Sequence, residues 1–205
     1  MKLTVTDLSV ARGGAPVLSG VSFAVNAGSV LVLRGPNGIG KTTLLRTLAG
    51  LQPALSGTVD VPEDTVAYAS HADGIKAQLT VTENLAFWAD VHGTTMPDSV
   101  FGAFDLDDLR TRLAGTLSAG QKRRLGLARL GVIGRKVLFL DEPTVSLDGF
   151  SVKMFANWLR DVHLAQGGIA VIATHVDLGI DAPELDLTPF RSTAHASGGS
   201  DEAFL

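Results

Sequence analysis

The stretch 35–43 has a spacing of glycine, lysine and threonine that suits the binding of phosphate groups. Its glycines let the main chain wrap an anion with the N–H groups pointing inward, and the start of a helix adds a partial positive charge. Lys41 would then reach the β- and γ-phosphates of a nucleotide, and the Thr42 hydroxyl would bind Mg²⁺. We therefore predict a nucleotide site made by Gly35, Pro36, Asn37, Gly38, Ile39, Gly40, Lys41, Thr42 and Thr43.

Two adjacent carboxylates, Asp141 and Glu142, follow a short apolar run at 137–140. A carboxylate at the end of a buried strand beside a phosphate loop is suited to holding Mg²⁺, and its neighbour can polarise an attacking water as a general base. We assign the first role to Asp141 and the second to Glu142. A further polar pair, Thr174-His175, follows another apolar run.

The segment 117–121, Leu-Ser-Ala-Gly-Gln, precedes three cations at 122–124 and an apolar helical pattern. Ser118 and Gln121 have the spacing of a helix capping box. Three cations in the first turn of a helix oppose its dipole, so a cap alone does not explain them, whereas a bound anion would. We therefore expect Ser118 and the Gly120 N–H group to contact phosphate.

Short apolar runs that do not alternate indicate how the fold positions these candidates. Runs of this kind suit strands buried on both faces of a parallel sheet, which binds ligands at the carboxyl ends of its strands. They are 30–33, 137–140 and 169–173. Alternating segments favour antiparallel strands near the N-terminus, namely 3–6, 21–25 and 58–61. From about 79 to 130 the pattern is helical, with interruptions at Gly93 and Pro97.

Composition excludes several classes of protein. The chain has 205 residues, 45% of them hydrophobic, which rules out disorder for most of its length. Lysine and arginine number 17 against 21 acidic residues, so a general nucleic-acid partner is not expected. The sequence contains no cysteine, which excludes disulfides and thiolate metal sites. Without an apolar stretch of 18 or so residues, no membrane-spanning segment is expected.

The order and spacing of these motifs resemble those of ABC-family ATPase subunits over residues 1 to about 180. Residues 35–43 match Walker A, 117–121 the signature and 137–142 Walker B, while Asp148 lies in a D-loop-like segment and His175 matches the switch histidine. The resemblance implies an α/β P-loop NTPase domain at 1–190. It would have a mainly parallel core sheet, an N-terminal antiparallel β subdomain and a small α-helical subdomain at about 79–130. A disordered tail is expected at 191–205.

The same resemblance implies ATP and Mg²⁺ as ligands and a second copy of the chain as a partner. Two subunits would sandwich two ATP molecules, so that Ser118, Gly120 and Gln121 of one complete the site cradled by the other. Asp148 would also contribute to that site. Lys41, Glu142 and His175 would be the catalytic residues, and membrane-spanning subunits would form the rest of the complex.

Two positions depart from the family pattern. The family usually stacks adenine on an aromatic side chain near the end of the first strand, where this chain has Arg12, whose guanidinium plane could stack instead. The glutamine of the Q-loop is also missing, and Ala72 takes its place, with His71 or Gln78 as substitutes. Base selectivity and coupling to the membrane partner are therefore expected to be unusual.

Within the family, residues 71–76, 82–85 and 186–190 resemble the ATP-binding subunit of bacterial cytochrome c maturation haem exporters. That resemblance implies a peripheral location at the cytoplasmic face of the inner membrane, with hydrolysis tied to release of a haem-loaded chaperone. Direct haem binding is not expected, because no histidine has a neighbour that would form a ligand pair. Phe87 and Trp88 are candidates for the surface that docks on the membrane subunits.

Three other functions remain open at this point. The chain could serve a transporter of another cargo, or it could be a non-transport ABC ATPase that acts on ribosomes or DNA. The short interval between Lys41 and Ser118 and the net charge of −4 weigh against the second of these. Ala72 and Arg12 leave room for a regulatory subunit that binds nucleotide without turnover.

Overall fold

The computed structural model describes residues 1–70, 72, 74–145 and 147–192. These residues form two sheets with helices around them. The strands are β1 Lys2–Arg12, β2 Ala15–Asn26, β3 Ser29–Arg34, β4 Ser56–Asp60, β5 Val66–Ala69, β6 Val137–Asp141, β7 Ile169–Ala173 and β8 Glu184–Asp186. The α-helices are α1 Lys41–Leu48, α2 Val81–Val91, α3 Ser99–Ala103, α4 Ala119–Ala128 and α5 Gly149–Trp158.

The core sheet is parallel, with the strand order β5-β6-β7-β3-β8. Each of the three continuous apolar runs forms one of its central strands, which confirms that prediction. Alternate residues of β6 enter different cores: Val137 and Phe139 pack with α1 and the N-terminal strands, whereas Leu138 and Leu140 pack with the helical segment. Because both faces are covered, the strand is apolar at every position up to Asp141.

The second sheet is antiparallel, with the order β2-β1-β4, and it confirms the predicted antiparallel strands near the N-terminus. β1 and β2 form a hairpin whose turn residues, Gly13 and Gly14, both have positive φ angles, +57° and +83°. Two-residue turns of this backbone type match the right-handed twist of the strands they join. Arg12 is therefore placed at the tip of the hairpin, paired with Ala15.

The segment between β5 and β6 is helical, as its pattern indicates. α2 begins with a capping box, in which the Thr80 side chain accepts from the Glu83 N–H and the Glu83 carboxylate accepts from the Thr80 N–H. The helix ends at Val91, just before Gly93. Phe101 lies in α3 and Phe104 directly follows it, and both side chains are buried. The ring centroid of Phe104 lies 5.4 Å from that of Trp158 in α5.

Residues 191 and 192, which follow the predicted domain end at 190, contact β2. Arg191 bridges to Leu18, and the Ser192 N–H donates to the Val17 carbonyl at 3.0 Å. The remainder of the predicted tail, 193–205, lies outside the described residues, as do His71, Asp73 and Ser146.

Candidate functional site

The phosphate loop joins β3 to α1. Three of its glycines have positive φ angles, +138° at Gly35, +79° at Gly38 and +118° at Gly40. A Cβ atom on Gly40 would come within 3.2 Å of the Leu18 side chain, so both its backbone conformation and its packing require glycine. The first turn of α1 contains no acidic residue, which leaves the helix N-terminus suited to an anion.

Three elements bring their polar side chains together at the mouth of this loop. The Lys41 ammonium, from the start of α1, donates to the Gly35 carbonyl at 2.7 Å. His175, two residues after β7, places Nε2 3.4 Å from Lys41 Nζ and 3.2 Å from Asn37 Oδ1. The same nitrogen lies 3.5 Å from Glu142 Oε1. Residues far apart in the sequence, Lys41, Glu142 and His175, therefore meet in one cluster.

A cavity of about 260 Å³ lies over this cluster and contains both predicted metal ligands. Its lining is Arg12, Asn37, Gly38, Gly40, Lys41, Thr42, Thr43, Asp141 and Glu142. Mg²⁺ in phosphate sites is typically held by one or two carboxylates, a hydroxyl, waters and phosphate oxygens. The Asp141 carboxylate and the Thr42 hydroxyl fit that donor set. Within the described ranges no group of three or more His, Cys, Asp or Glu side chains is placed to hold a metal by itself.

Asp141 has a partner that the sequence does not reveal. The Tyr68 hydroxyl, on the neighbouring strand β5, donates to Asp141 Oδ2 at 3.2 Å. Burial and the charge of Asp141 together raise the pKa of Tyr68 to about 12. The phenol therefore stays a proton donor and helps to orient the Asp141 carboxylate, which lines the cavity. Only the strand order, which pairs Tyr68 with Phe139, brings the two residues side by side.

Glu142 occupies a strained backbone position. Its φ angle is +49°, in the left-handed region that costs a non-glycine residue about 1–2 kcal/mol. Its N–H donates to the Ala173 carbonyl at 2.8 Å. The guanidinium of Arg123 donates to the carbonyls of Glu142 at 3.1 Å and Pro143 at 2.8 Å. These contacts hold the main chain in this conformation, in which Glu142 Oε1 lies 3.5 Å from His175 Nε2.

The capping box predicted at the start of α4 is present. The Gln121 N–H donates to Ser118 Oγ at 3.3 Å, and the Ser118 N–H donates to Gln121 Oε1 at 2.9 Å. Two of the three cations at 122–124 do not need a bound anion, contrary to expectation, because both have partners within the chain. Arg123 is buried on main-chain carbonyls, and Arg124 forms an ion pair with Asp105.

The residues of the signature segment lie apart from the phosphate loop of their own chain. The described residues that line the cavity over Lys41 do not include Ser118, Gly120 or Gln121. Asp148 likewise serves locally, since it is the N-cap of α5 and accepts from the Ser151 N–H at 2.7 Å. That hydrogen bond lowers the pKa of Asp148 and keeps it ionised.

Arg12 does reach the predicted site. It lines the cavity over Lys41 and also a second, adjoining cavity of about 360 Å³, which it shares with Arg191. Of the residues around the missing Q-loop glutamine, Ala72 is exposed and its N–H donates to Ser70 Oγ, whereas His71 lies outside the described residues. Tyr68, Arg123 and Arg191 are neighbours of the site that could not be predicted from the sequence, because none of them stands in a motif.

Comparisons with known proteins agree on one family. A family model described as ABC transporter matches residues 18–145. The cytochrome c biogenesis ATP-binding export protein CcmA of Roseobacter denitrificans is 61% identical over 207 residues, covering all of both chains. The protein of that name from Ruegeria pomeroyi is 59% identical over 205 residues, again across both chains.

A solved structure gives the same result for the fold. The putative ABC transporter ATP-binding protein from Pyrococcus furiosus superimposes with a TM-score of 0.82 at 26% identity, over 94% of this chain and 100% of that one. Among the described residues, no helix is both long and apolar enough to cross a membrane.

Proposed function

Because the chain belongs to the ABC transporter family, we propose that it is the ATP-hydrolysing subunit of a membrane export complex that serves cytochrome c biogenesis. The relatives described above, matched over their whole length, carry that role in their names. One structural observation supports it most directly: Lys41, Glu142 and His175 come from three separate elements and meet within 3.5 Å at the mouth of the phosphate loop. Such a cluster is what phosphoryl transfer from a bound nucleotide to water requires.

Each residue has a distinct part in the proposed reaction. The N–H groups of the loop and the Lys41 ammonium bind the β- and γ-phosphates and neutralise their charge. Thr42 and Asp141 would hold Mg²⁺, which supplies further positive charge to the phosphate oxygens when bound. Glu142 accepts a proton from the attacking water. His175 lies between Lys41 and Glu142 and would position the γ-phosphate relative to that water.

We propose that the working unit is a head-to-tail pair of chains. In one chain, Ser118 and Gly120 sit at the start of α4 and do not line the cavity over Lys41. Exposed apolar side chains flank the Asp148 cap, with Val145 45% and Phe150 63% accessible to solvent. An antiparallel pair would cover these side chains and bring the start of α4 of each subunit to the phosphate loop of the other.

The membrane contact is proposed at an apolar cavity of about 260 Å³ between the core sheet and α2. Its lining is Leu51, Val66, Ala67, Tyr68, Trp88, His92, Arg129, Leu130 and Ile133. The Trp88 ring forms one wall, with the Arg129 guanidinium 5.2 Å from its centroid. A helix or loop of a membrane subunit would fit this groove, which would place the chain at the cytoplasmic face of the inner membrane without contact to haem.

The proposal is tested in a strain from which the gene has been deleted. We expect loss of covalently bound haem in c-type cytochromes, visible by haem staining, and restoration by the wild-type gene. Glu142→Gln should fail to restore it and should lower ATP turnover of the assembled complex by about 10²–10⁴-fold, since it removes the proton acceptor. Glu63→Gln is the matched control, because Glu63 is an exposed carboxylate outside the site.

The outcomes separate the alternatives. Normal c-type cytochromes in the deletion strain would assign the chain to another cargo. ATP binding without hydrolysis in the intact complex would indicate a regulatory subunit. Wild-type turnover by Glu142→Gln would remove the general-base role while leaving the biological assignment intact.

A further inference from the structure

The second cavity beside the phosphate loop has no role in the chemistry described so far. It measures about 360 Å³, within the roughly 300–1,000 Å³ typical of small-molecule sites. It is lined by Arg12, Pro16, Val17, Pro36, Asn37, Gly38, Ile39, Arg191 and Ser192. Arg12, Asn37 and Gly38 also line the cavity over Lys41, so the two spaces adjoin. A nucleotide with its phosphates over Lys41 would therefore extend its base into the second cavity.

Two separate parts of the chain place arginines in this cavity. Arg12 ends β1 at the tip of the glycine hairpin, and Arg191 follows β8 at the end of the described chain. The main chain of 191–192 is held in place by its pairing with β2 at Val17 and Leu18. Because Gly40 packs directly on Leu18, the segment that carries Arg191 lies one strand away from the phosphate loop.

Both guanidinium groups are exposed, and among the described residues neither makes an ion pair or a hydrogen bond through its side chain. None of the lining residues carries an aromatic ring. A guanidinium plane can stack on a base, and its N–H groups only donate hydrogen bonds. The N7 and O6 edge of guanine offers two acceptors to an arginine, whereas adenine offers N7 beside an amino donor.

We propose that Arg12 and Arg191 together hold the purine base, and that the site therefore accepts GTP as well as ATP. This inference rests on the proposed function, since it concerns the same nucleotide. It assigns Arg191, from the C-terminal segment, as a base-binding residue. A guanidinium plane can stack on the face of either purine ring, and its N–H groups can donate to N7, which adenine and guanine share.

The test compares nucleotides with a ligand that has phosphates but no base. Purified full-length chain is titrated with MgATP, MgGTP and magnesium tripolyphosphate, and the Kd of each is measured. Wild type should bind GTP and ATP with affinities within about tenfold of each other, since one arginine–base contact discriminates by about that factor. Arg191→Ala should weaken both nucleotides by about tenfold and leave tripolyphosphate unchanged, because only stacking with the base is lost.

Matched variants separate base recognition from charge. Lys41→Ala should weaken all three ligands. Arg112→Ala, which removes an exposed cation outside both cavities, should change none of them. Arg191→Lys keeps the positive charge but lacks the planar guanidinium group, so its nucleotide affinity should be little higher than that of Arg191→Ala. Full recovery by lysine, or an equal loss of tripolyphosphate affinity in Arg191→Ala, would overturn the base assignment.

A failure of the proposed function gives a different result. If wild type binds neither nucleotide nor tripolyphosphate, the nucleotide site itself is wrong and this inference fails with it. If wild type binds ATP and Arg191→Ala binds it with the same affinity, or if wild type rejects GTP by far more than tenfold, only the inference about the base fails.

Discussion

Two consecutive arginines of α4, Arg123 and Arg124, make contacts of very different kinds. Arg123 is 6% exposed, and its guanidinium joins two loops that follow neighbouring strands. It donates to the Ser70 carbonyl after β5 at 3.1 Å, and to the carbonyls of Glu142 and Pro143 after β6 at 3.1 and 2.8 Å. Arg124 instead forms an ion pair with Asp105, whose side chain is 62% exposed.

The two positions differ greatly in their expected contribution to stability. The three hydrogen bonds that Arg123 donates to the two loops come from two guanidinium nitrogens, because one nitrogen is shared between Glu142 and Pro143. If each nitrogen contributes about 1.5–3 kcal/mol through its charge-assisted contacts, Arg123→Ala should lower the free energy of unfolding by about 3–6 kcal/mol. The carbonyls left behind would be buried without their donor, which adds to the loss. An ion pair with an exposed partner contributes about 0–1 kcal/mol, and Arg124→Ala should cost no more than that.

Urea unfolding of the purified full-length chain measures both values. A loss of several kcal/mol is a large part of the roughly 5–15 kcal/mol that stabilises a typical domain, so Arg123→Lys is included as a milder change. Lysine keeps the charge but cannot donate hydrogen bonds to both loops at once. The free energy of unfolding lost in Arg123→Lys should therefore fall between the losses in the two alanine variants. Equal destabilisation by Arg123→Ala and Arg124→Ala would refute the structural role assigned to Arg123.

Three further predictions follow from the same site and core. The variant Glu142→Gly should be more stable than Glu142→Ala by about 0.5–1 kcal/mol in urea unfolding. Glycine adopts the positive φ angle without strain, and this gain exceeds the cost of the greater entropy that glycine gives the unfolded chain. Tyr68 is the only tyrosine, so absorbance titration of the folded chain reports it alone; its pKa should be about 12 and should fall in Asp141→Asn, since the carboxylate charge is lost. His163 is buried and its Nε2–H donates to the Ile169 carbonyl at 3.2 Å. Burial lowers the pKa of His163 from its usual value of 6.5, so its contribution to stability is present above pH 6.5 and is lost as pH falls through the folded pKa. Thermal melts between pH 8 and pH 5 should show this loss, with a smaller slope in His163→Gln.

Each of these has an outcome that would contradict it. Alanine at least as stable as glycine at Glu142 would mean that the backbone there is not strained in solution. A Tyr68 pKa unaffected by Asp141→Asn would place the two side chains apart. A pH slope unchanged by His163→Gln would assign the acid sensitivity to other groups.

Much of the fold and part of the site could be predicted from local sequence. The buried strands β3, β6 and β7 are apolar at consecutive positions, and the loop 35–43 carries its own backbone requirements, so both leave a signal within a few residues. β5 and β8 leave none, because strands of four and three residues are too short to show a period. The expectation of an anion beside the cations at 122–124 depends on the dipole of one helix alone. That local feature does not reveal that Arg123 is buried against a loop from a distant part of the chain.

Local sequence alone predicts the groups that could do chemistry: a phosphate loop, a carboxylate pair and a histidine, each at the end of a buried strand. Such features depend on neighbours in the chain and are therefore readable from it. Strand order and packing bring together side chains that are distant in the sequence: His175 meets Lys41 and Tyr68 meets Asp141, while Arg191 lines the same cavity as Arg12. Those contacts follow from strand order and from packing between distant segments, and no local pattern records them.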